Sequence, residues 1–217
     1  GFNTVSEQRL AENIFGRRMS PHGLISVGIN VVADADWVDV KRKYNLPEEY
    51  LLYVGRIDKG KLNHIVQYFL HYKARYANSK LKFVLVGGLF SAPVSHSDLI
   101  YTGFVSENEK YAIIRHAKIM VNPSKFESLS LILLEGMQLG KPMLVNGKCE
   151  VLKEHCSKSE KAALAYWNKN DFISKLASLE TSSELCREMG KKGKVYVETY
   201  YSWSVIMERL KKAIESV

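Results

Sequence analysis

The chain has 217 residues, 46% of them apolar, enough for one large domain or two small ones around a sizeable core. Lys and Arg number 31 against 23 Asp and Glu, a formal net charge of +8. The basic residues are dispersed among acidic ones and the RNP, KH and finger signatures are absent, so nucleic acid is set aside in favour of a basic surface near anionic lipid or a phosphate ligand. No run reaches the ~18 uncharged apolar residues of a membrane span, no leader pattern opens the chain, and Cys149, Cys156 and Cys186 are too few for a disulfide framework or zinc site, so the expected setting is reducing and cytoplasmic, at most peripheral to a membrane.

Residues 1–46 read as a linker and edge element: a short helix over 6–15, an extended apolar piece over 24–32, and a polar connection closing at Pro47. Residues 47–217 read as one domain. Short apolar and β-branched runs at 51–55, 81–87, 99–103, 118–123, 141–146 and 162–167 are the expected strands. Between them, Ile65, Val66, Phe69, Leu70 and Tyr72 fall at helical spacing, and Ser106 with Glu109 makes a capping box. A further helix is expected to begin near Ser128–Ser130 and to end at Gly140, with Pro142 beyond it; about three more follow Trp167. The alternation predicts an α/β fold, a Rossmann-like parallel sheet with helices on both faces.

Ligands of such sheets bind outside the carboxyl ends of the strands. After the first strand, Gly55 lets a backbone amide approach an anion, and Arg56, Lys59 and Lys61 follow closely enough to neutralise a diphosphate, although surface cations are also commonly just solvated. The helix after residues 122–128 offers unsatisfied amides, a positive dipole end, and Ser128 and Ser130 to cap or donate, which suits a phosphate. Glu127 at its start and Glu135 eight residues on, ~12 Å along the axis at ~1.5 Å per residue, set two carboxylates along one edge. Glutamates on exposed helices are common. Glu135, however, interrupts an otherwise apolar stretch and so needs a partner; a carboxylate there suits vicinal ribose hydroxyls, leaving Glu127 for the sugar end of a nucleotide-sugar.

The loop "YVGRIDKGK", the strand "LKFVLVGG", the stretch from "YTGFVSENEK" through "NPSKFESLSLILLEGMQLGKPMLVN" and the late "YSW" together resemble the C-terminal, donor-binding domain of retaining GT-B glycosyltransferases of family 4, over about residues 45–215. The glutamate pair followed by Gly-Lys-Pro carries most of that resemblance. It implies the C-terminal half of a GT-B fold, with a nucleoside diphosphate sugar as donor, UDP preferred and GDP second, and no metal or other cofactor. By resemblance Glu135 holds the ribose, Glu127 sits beside the transferred sugar, and Arg56 with Lys61 grips the diphosphate. Lys59 stays open as the lysine because the loop is about one residue short. Amides around Ser128, Leu129 and Ser130 assist, and backbone groups at Phe104 and Val105 meet the base.

The resemblance also implies retention of configuration and transfer of a hexose to a glycan or lipid acceptor. The family's N-terminal acceptor domain is missing from this chain, so donor binding with poor transfer is expected. A non-catalytic nucleotide-sugar-binding or scaffold module of the same fold is the alternative. An Asp-x-Asp at Asp34 and Asp36 is set aside as a metal site, His116 and His155 read as packed or solvated, and Trp203 as a packing anchor. Val205, Ile206 and Leu210 are expected to expose apolar surface.

Overall fold

The computed structural model describes residues 1–20, 22–30 and 36–215; the side chains of Lys61 and Asn63 also lie outside the described set. In chain order the elements are α1 (Val5–Phe15), α2 (Trp37–Tyr44), β1 (Tyr50–Val54), α3 (Lys59–Arg75), β2 (Lys82–Val86), β3 (Leu99–Gly103), α4 (Glu107–His116), β4 (Ile119–Asn122), α5 (Leu131–Gln138), β5 (Met143–Asn146), α6 (Glu150–Lys158), β6 (Ala163–Tyr166), α7 (Lys169–Thr181), α8 (Ser183–Tyr201) and α9 (Trp203–Glu215). The strands form one parallel sheet in the order β3-β2-β1-β4-β5-β6. It is the Rossmann-like sheet that the alternation of apolar runs and helical patterns predicts, each of the six runs supplying one strand.

Strands covered on both faces need apolar residues at successive positions rather than alternate ones. In β1, Tyr50 and Leu52 point into one core with Val84, Ile113, Leu133 and Tyr196, while Leu51 and Tyr53 point into the other with Phe69, Phe83 and Phe172. The first core lies under α4, α5 and α8 and the second under α3 and α7. After β1 the chain winds outward through α3 to β2 and, by a connection without a helix, to β3; α4 then returns it across the sheet to β4, beside β1. Strand order reverses there, opening a crevice at the carboxyl ends of β1 and β4.

Local signals explain several boundaries. The capping box of α4 is formed: the Ser106 hydroxyl accepts from the Glu109 amide at 3.3 Å, and the Glu109 carboxylate accepts from the Ser106 amide at 2.8 Å. Helix α2 replaces part of the expected polar connection. Its N-cap is Asp36, whose carboxylate accepts from the amides of Val38 and Asp39, so this half of the Asp-x-Asp pattern serves a helix end; Asp34 lies outside the described residues. The expected extended piece over 24–32 forms no strand among its described residues: Leu24 bridges Phe2 and the Ile29 amide donates to the Tyr201 carbonyl at 2.8 Å, while 31 and 32 lie outside them.

In α9, Ile206 is buried and Val205 and Leu210 are half-buried, contrary to the expected exposed surface. The helix leans on α8, turning Met207 and Ile214 outward instead. Trp203 packs its ring on Gly28, where a Cβ would lie 2.5 Å away.

Helix α8 meets the turn after α5 by a backbone contact. A Cβ on Gly190 would sit 2.2 Å from the carbonyl oxygen of Gly140, in the turn after α5. Gly190→Ala should therefore force the two apart and cost about 1–3 kcal/mol, read as a lowered urea midpoint at unchanged slope; an unchanged midpoint would contradict this packing.

Candidate functional site

The crevice starts from two glycines. Gly55 follows β1 with φ +149° and Gly87 follows β2 with φ +137°. A Cβ on Gly87 would lie 2.0 Å from the Gly55 carbonyl oxygen, so the two loops meet backbone to backbone. Beyond them opens a cavity of about 480 Å³, lined by Gly55, Gly88, Phe90, Phe104, Val105 and Lys110 among others. Phe104 is 81% exposed and Phe90 65% exposed, each at the mouth of this cavity. Gly88 lets the Phe104 ring lie against the β2 loop, since a Cβ there would be 2.5 Å from it.

Arg56 also lines this cavity. Its Nε donates to Asp58 at 2.9 Å, and its guanidinium lies 5.9 Å from the centre of the Phe90 ring. Lys59 opens α3 and is exposed; Lys61 is the third residue of that helix, its side chain outside the described set.

The loop from β4 to α5 is organised by one side chain. Asn122, the last residue of β4 and 3% exposed, accepts from the Ser124 amide at 2.9 Å and donates to the Ser130 hydroxyl at 2.8 Å and to the Glu127 carboxylate at 3.3 Å. Asn146 does similar work at the end of β5: its amide donates to the Pro123 carbonyl at 3.1 Å and its oxygen accepts from the Lys148 amide. The expected helix start moves as a result. Ser130 is held at φ +69°, ψ +73°, its hydroxyl is engaged by Asn122 rather than by a helix amide, and α5 begins at Leu131.

Three consecutive residues of this loop are pinned from three directions. The Thr4 hydroxyl donates to the Ser128 carbonyl at 3.2 Å, His155 Nε2 lies 2.8 Å from the Leu129 carbonyl, and Asn122 holds Ser130. The amides of Leu129, Ser130, Leu131 and Ile132 have no partner among the described residues. Four such amides at a helix N-terminus are the kind of donor set that suits an anion, and a left-handed residue among them favours a concave arrangement.

The two glutamates separate. Glu127 sits in the loop, not on α5, so the expected helical spacing between them does not hold. It lines a second cavity of about 380 Å³, formed with Arg9, Lys125, Phe126 and Lys148 beneath α1. Glu135 lies within α5 and has the partners its apolar surroundings require: Lys110 Nζ donates to Oε1 at 2.9 Å, and the Tyr111 hydroxyl lies 3.1 Å from the same oxygen. Its other oxygen has no partner among the described residues. Burial opposes the charge on Lys110, yet the hydrogen bonds to Glu107 and Glu135 outweigh it and hold the ammonium above its usual range. Burial first, and then the Glu135 charge, push Tyr111 up to about 12.

Sequence reasoning passed over Asn122, Asn146, Phe90, Lys110 and Tyr111. The two asparagines carried a signal, each being the last residue of an apolar strand and followed by Pro or Gly. Phe90, two residues after the Gly87–Gly88 pair, is an apolar residue with no element to belong to. For Lys110 and Tyr111 the expected partner of Glu135 was a defined need without a local clue.

Comparison with known proteins bears on this site. A family model described as Glycosyl transferases group 1 matches residues 38–196. Among solved structures, sucrose-phosphate synthase from Thermosynechococcus elongatus superposes with a TM-score of 0.76 at 18% identity, over 99% of this chain and 57% of that one. HepE of Anabaena, solved in complex with UDP and glucose, gives 0.77 at 11% identity over 100% and 62%. A TarM mutant from S. aureus, solved with fondaparinux, alpha-GlcNAc-glycerol and UDP, gives 0.76 at 14% identity over 98% and 43%. The chain thus spans roughly half the length of these structures.

Replacing Asn122 tests the architecture of the loop. Asn122→Ala leaves a buried amide and a buried hydroxyl without partners, which should cost about 2–3 kcal/mol and raise hydrogen exchange at the amides of 124–132. Unchanged exchange there, in a folded variant, would show that the loop does not depend on this side chain.

Proposed function

We propose that this chain, which belongs to the glycosyl transferases group 1 family, is the donor-binding half of a retaining glycosyltransferase that uses a nucleoside diphosphate hexose. The observation that carries the reading is the set of amides at 129–132, and one oxygen of Glu135 a turn further on, that have no partner among the described residues, at the reversal of strand order.

On this reading the base enters the cavity edged by Phe104, Val105 and Phe90, where exposed rings offer stacking faces. The ribose hydroxyls donate to the free oxygen of Glu135, whose other oxygen is committed to Lys110 and Tyr111. The diphosphate lies between the amides of Leu129–Ile132 on one side and Arg56 on the other; the Gly55 amide itself donates to the Val86 carbonyl at 2.9 Å, so this glycine serves by leaving room rather than by donating. Arg56 is paired with Asp58, but the pair is exposed and such pairs contribute little, so a diphosphate carrying more charge can take the guanidinium over. Lys61 or Lys59 supplies the second cation, and UDP is the preferred nucleotide with GDP next. Solved relatives in complex with UDP support the choice by analogy of fold.

Transfer needs negative charge to accumulate on the departing diphosphate. Preorganised donors facing that charge lower the barrier by roughly 3 kcal/mol each, so amides and cations suffice without a metal. Glu127, facing the neighbouring cavity under α1, is the sugar-side carboxylate, and the hexose passes to a glycan or lipid acceptor with its configuration retained. The acceptor side belongs to a further domain, as the half-length overlap with the solved structures suggests. No helix among the described residues is long and apolar enough to cross a membrane; the basic surface is suited to peripheral contact with anionic lipid or a lipid-linked acceptor.

Calorimetric titration with UDP, GDP and ADP, free and sugar-linked, tests the reading: at least one should bind, and no binding by any at millimolar concentration sinks it. Glu135→Ala should weaken every ribonucleotide by about ten-fold to a hundred-fold, the worth of charge-assisted hydrogen bonds, while Glu127→Ala should spare free nucleotides and weaken only sugar conjugates. Equal losses in both variants would show the carboxylates wrongly assigned.

A further inference from the structure

His155 is 1% exposed, in the middle of α6, and both its nitrogens are engaged: Nε2 lies 2.8 Å from the Leu129 carbonyl and Nδ1 lies 2.9 Å from the Tyr196 hydroxyl, which is 3.3 Å from that of Tyr201. A carbonyl only accepts, so Nε2 carries the proton. Burial holds the imidazole pKa down to about 4, so the ring is neutral at neutral pH and Nδ1 is a bare acceptor. Tyr196 must then donate to Nδ1, and Tyr201 must donate to Tyr196. The tautomer is fixed by the partners, and the Nε2 proton has one destination.

That destination decides where an amide points. In a planar trans peptide the C=O of one residue and the N–H of the next are antiparallel. Drawing the Leu129 carbonyl inward towards α6 therefore turns the Ser130 amide outward, and the Thr4 hydroxyl does the same for the Leu129 amide by holding the Ser128 carbonyl. Both amides belong to the unpartnered set at the start of α5.

We infer that His155 is a positioning residue for donor binding: its Nε2–H clamps the Leu129 carbonyl and so aims the Ser130 amide at a phosphate of the nucleotide. This rests on the donor-site reading above. His155 itself touches no ligand. Its effect is confined to the phosphate contact, because the base and ribose contacts lie on other loops and on Glu135.

The test compares UDP with uridine, titrated into the purified chain and followed by NMR, for wild type and for His155→Phe, His155→Gln and Tyr196→Phe, with a thermal melt of each. His155→Phe fills the space without donating and should weaken UDP about ten-fold while leaving uridine within two-fold. His155→Gln, which can donate to Leu129 and accept from Tyr196, should recover UDP affinity to within about three-fold of wild type. Tyr196→Phe frees the Nδ1 side while retaining packing and should show a smaller loss with the same preference for UDP over uridine; it serves if His155→Phe does not fold. UDP and uridine weakened alike, or UDP affinity unchanged in a folded His155→Phe or Tyr196→Phe, would overturn the inference alone. Failure of the wild type to bind UDP or any other nucleotide would remove the donor-site reading and this inference with it.

Discussion

One buried amide side chain fixes the part of this molecule where a ligand's charge would be met. Asn122 closes β4 and then accepts from one residue and donates to two others of the loop that follows, and through Ser130 it dictates where α5 can begin. A serine with positive φ is uncommon and strained, and it persists only where the surroundings determine it more than once. Here the Asn122 bond and the clamps on Ser128 and Leu129 supply that determination from β4, α1 and α6. The result is a row of amides with no partner among the described residues. Strain and unsatisfied donors at one point of a well-packed sheet are what a preorganised anion site requires.

The sheet makes that loop useful by what it sets opposite. Reversal of strand order between β1 and β4 leaves room at their carboxyl ends, and the glycine contact between the β1 and β2 loops keeps side chains from filling it. Space is therefore divided. One cavity runs under Phe104 and Phe90 to Lys110, and Glu135 is joined to it by the Lys110 bond; the other lies between α1 and the loops after β4 and β5, and holds Glu127. On the donor-site reading proposed above, a ligand with a base and ribose at one end and a sugar at the other would occupy both compartments, with the amides of 129–132 between the carboxylates in sequence.

The strands were legible because a doubly covered parallel strand must be apolar at every position, and β1, β2, β4 and β5 have almost no choice of reading. The α4 capping box was legible because both of its bonds are local. The start of α5 was not: the bond that withdraws Ser130 from capping comes from Asn122, and the clamp on Leu129 from His155, 26 residues away. Helix α2 was hidden for another reason. Its stripe is only Trp37, Val40 and Tyr44 over two turns, with Val40 alone fully buried, and its capping aspartate is half of a pattern that suggests a metal. The need of Glu135 for a partner could be deduced from its apolar neighbours, but the partners stand 24 and 25 residues away, on a helix that the sheet topology brings alongside.

A crystal structure of the chain soaked with UDP tests the central claim most directly. The diphosphate should lie within hydrogen-bond distance of the amides at 129–132 and of Arg56, with the ribose hydroxyls on Glu135 and the uracil against Phe104. Electron density for UDP in the cavity beneath α1, or on any surface away from the carboxyl ends of β1 and β4, would contradict it.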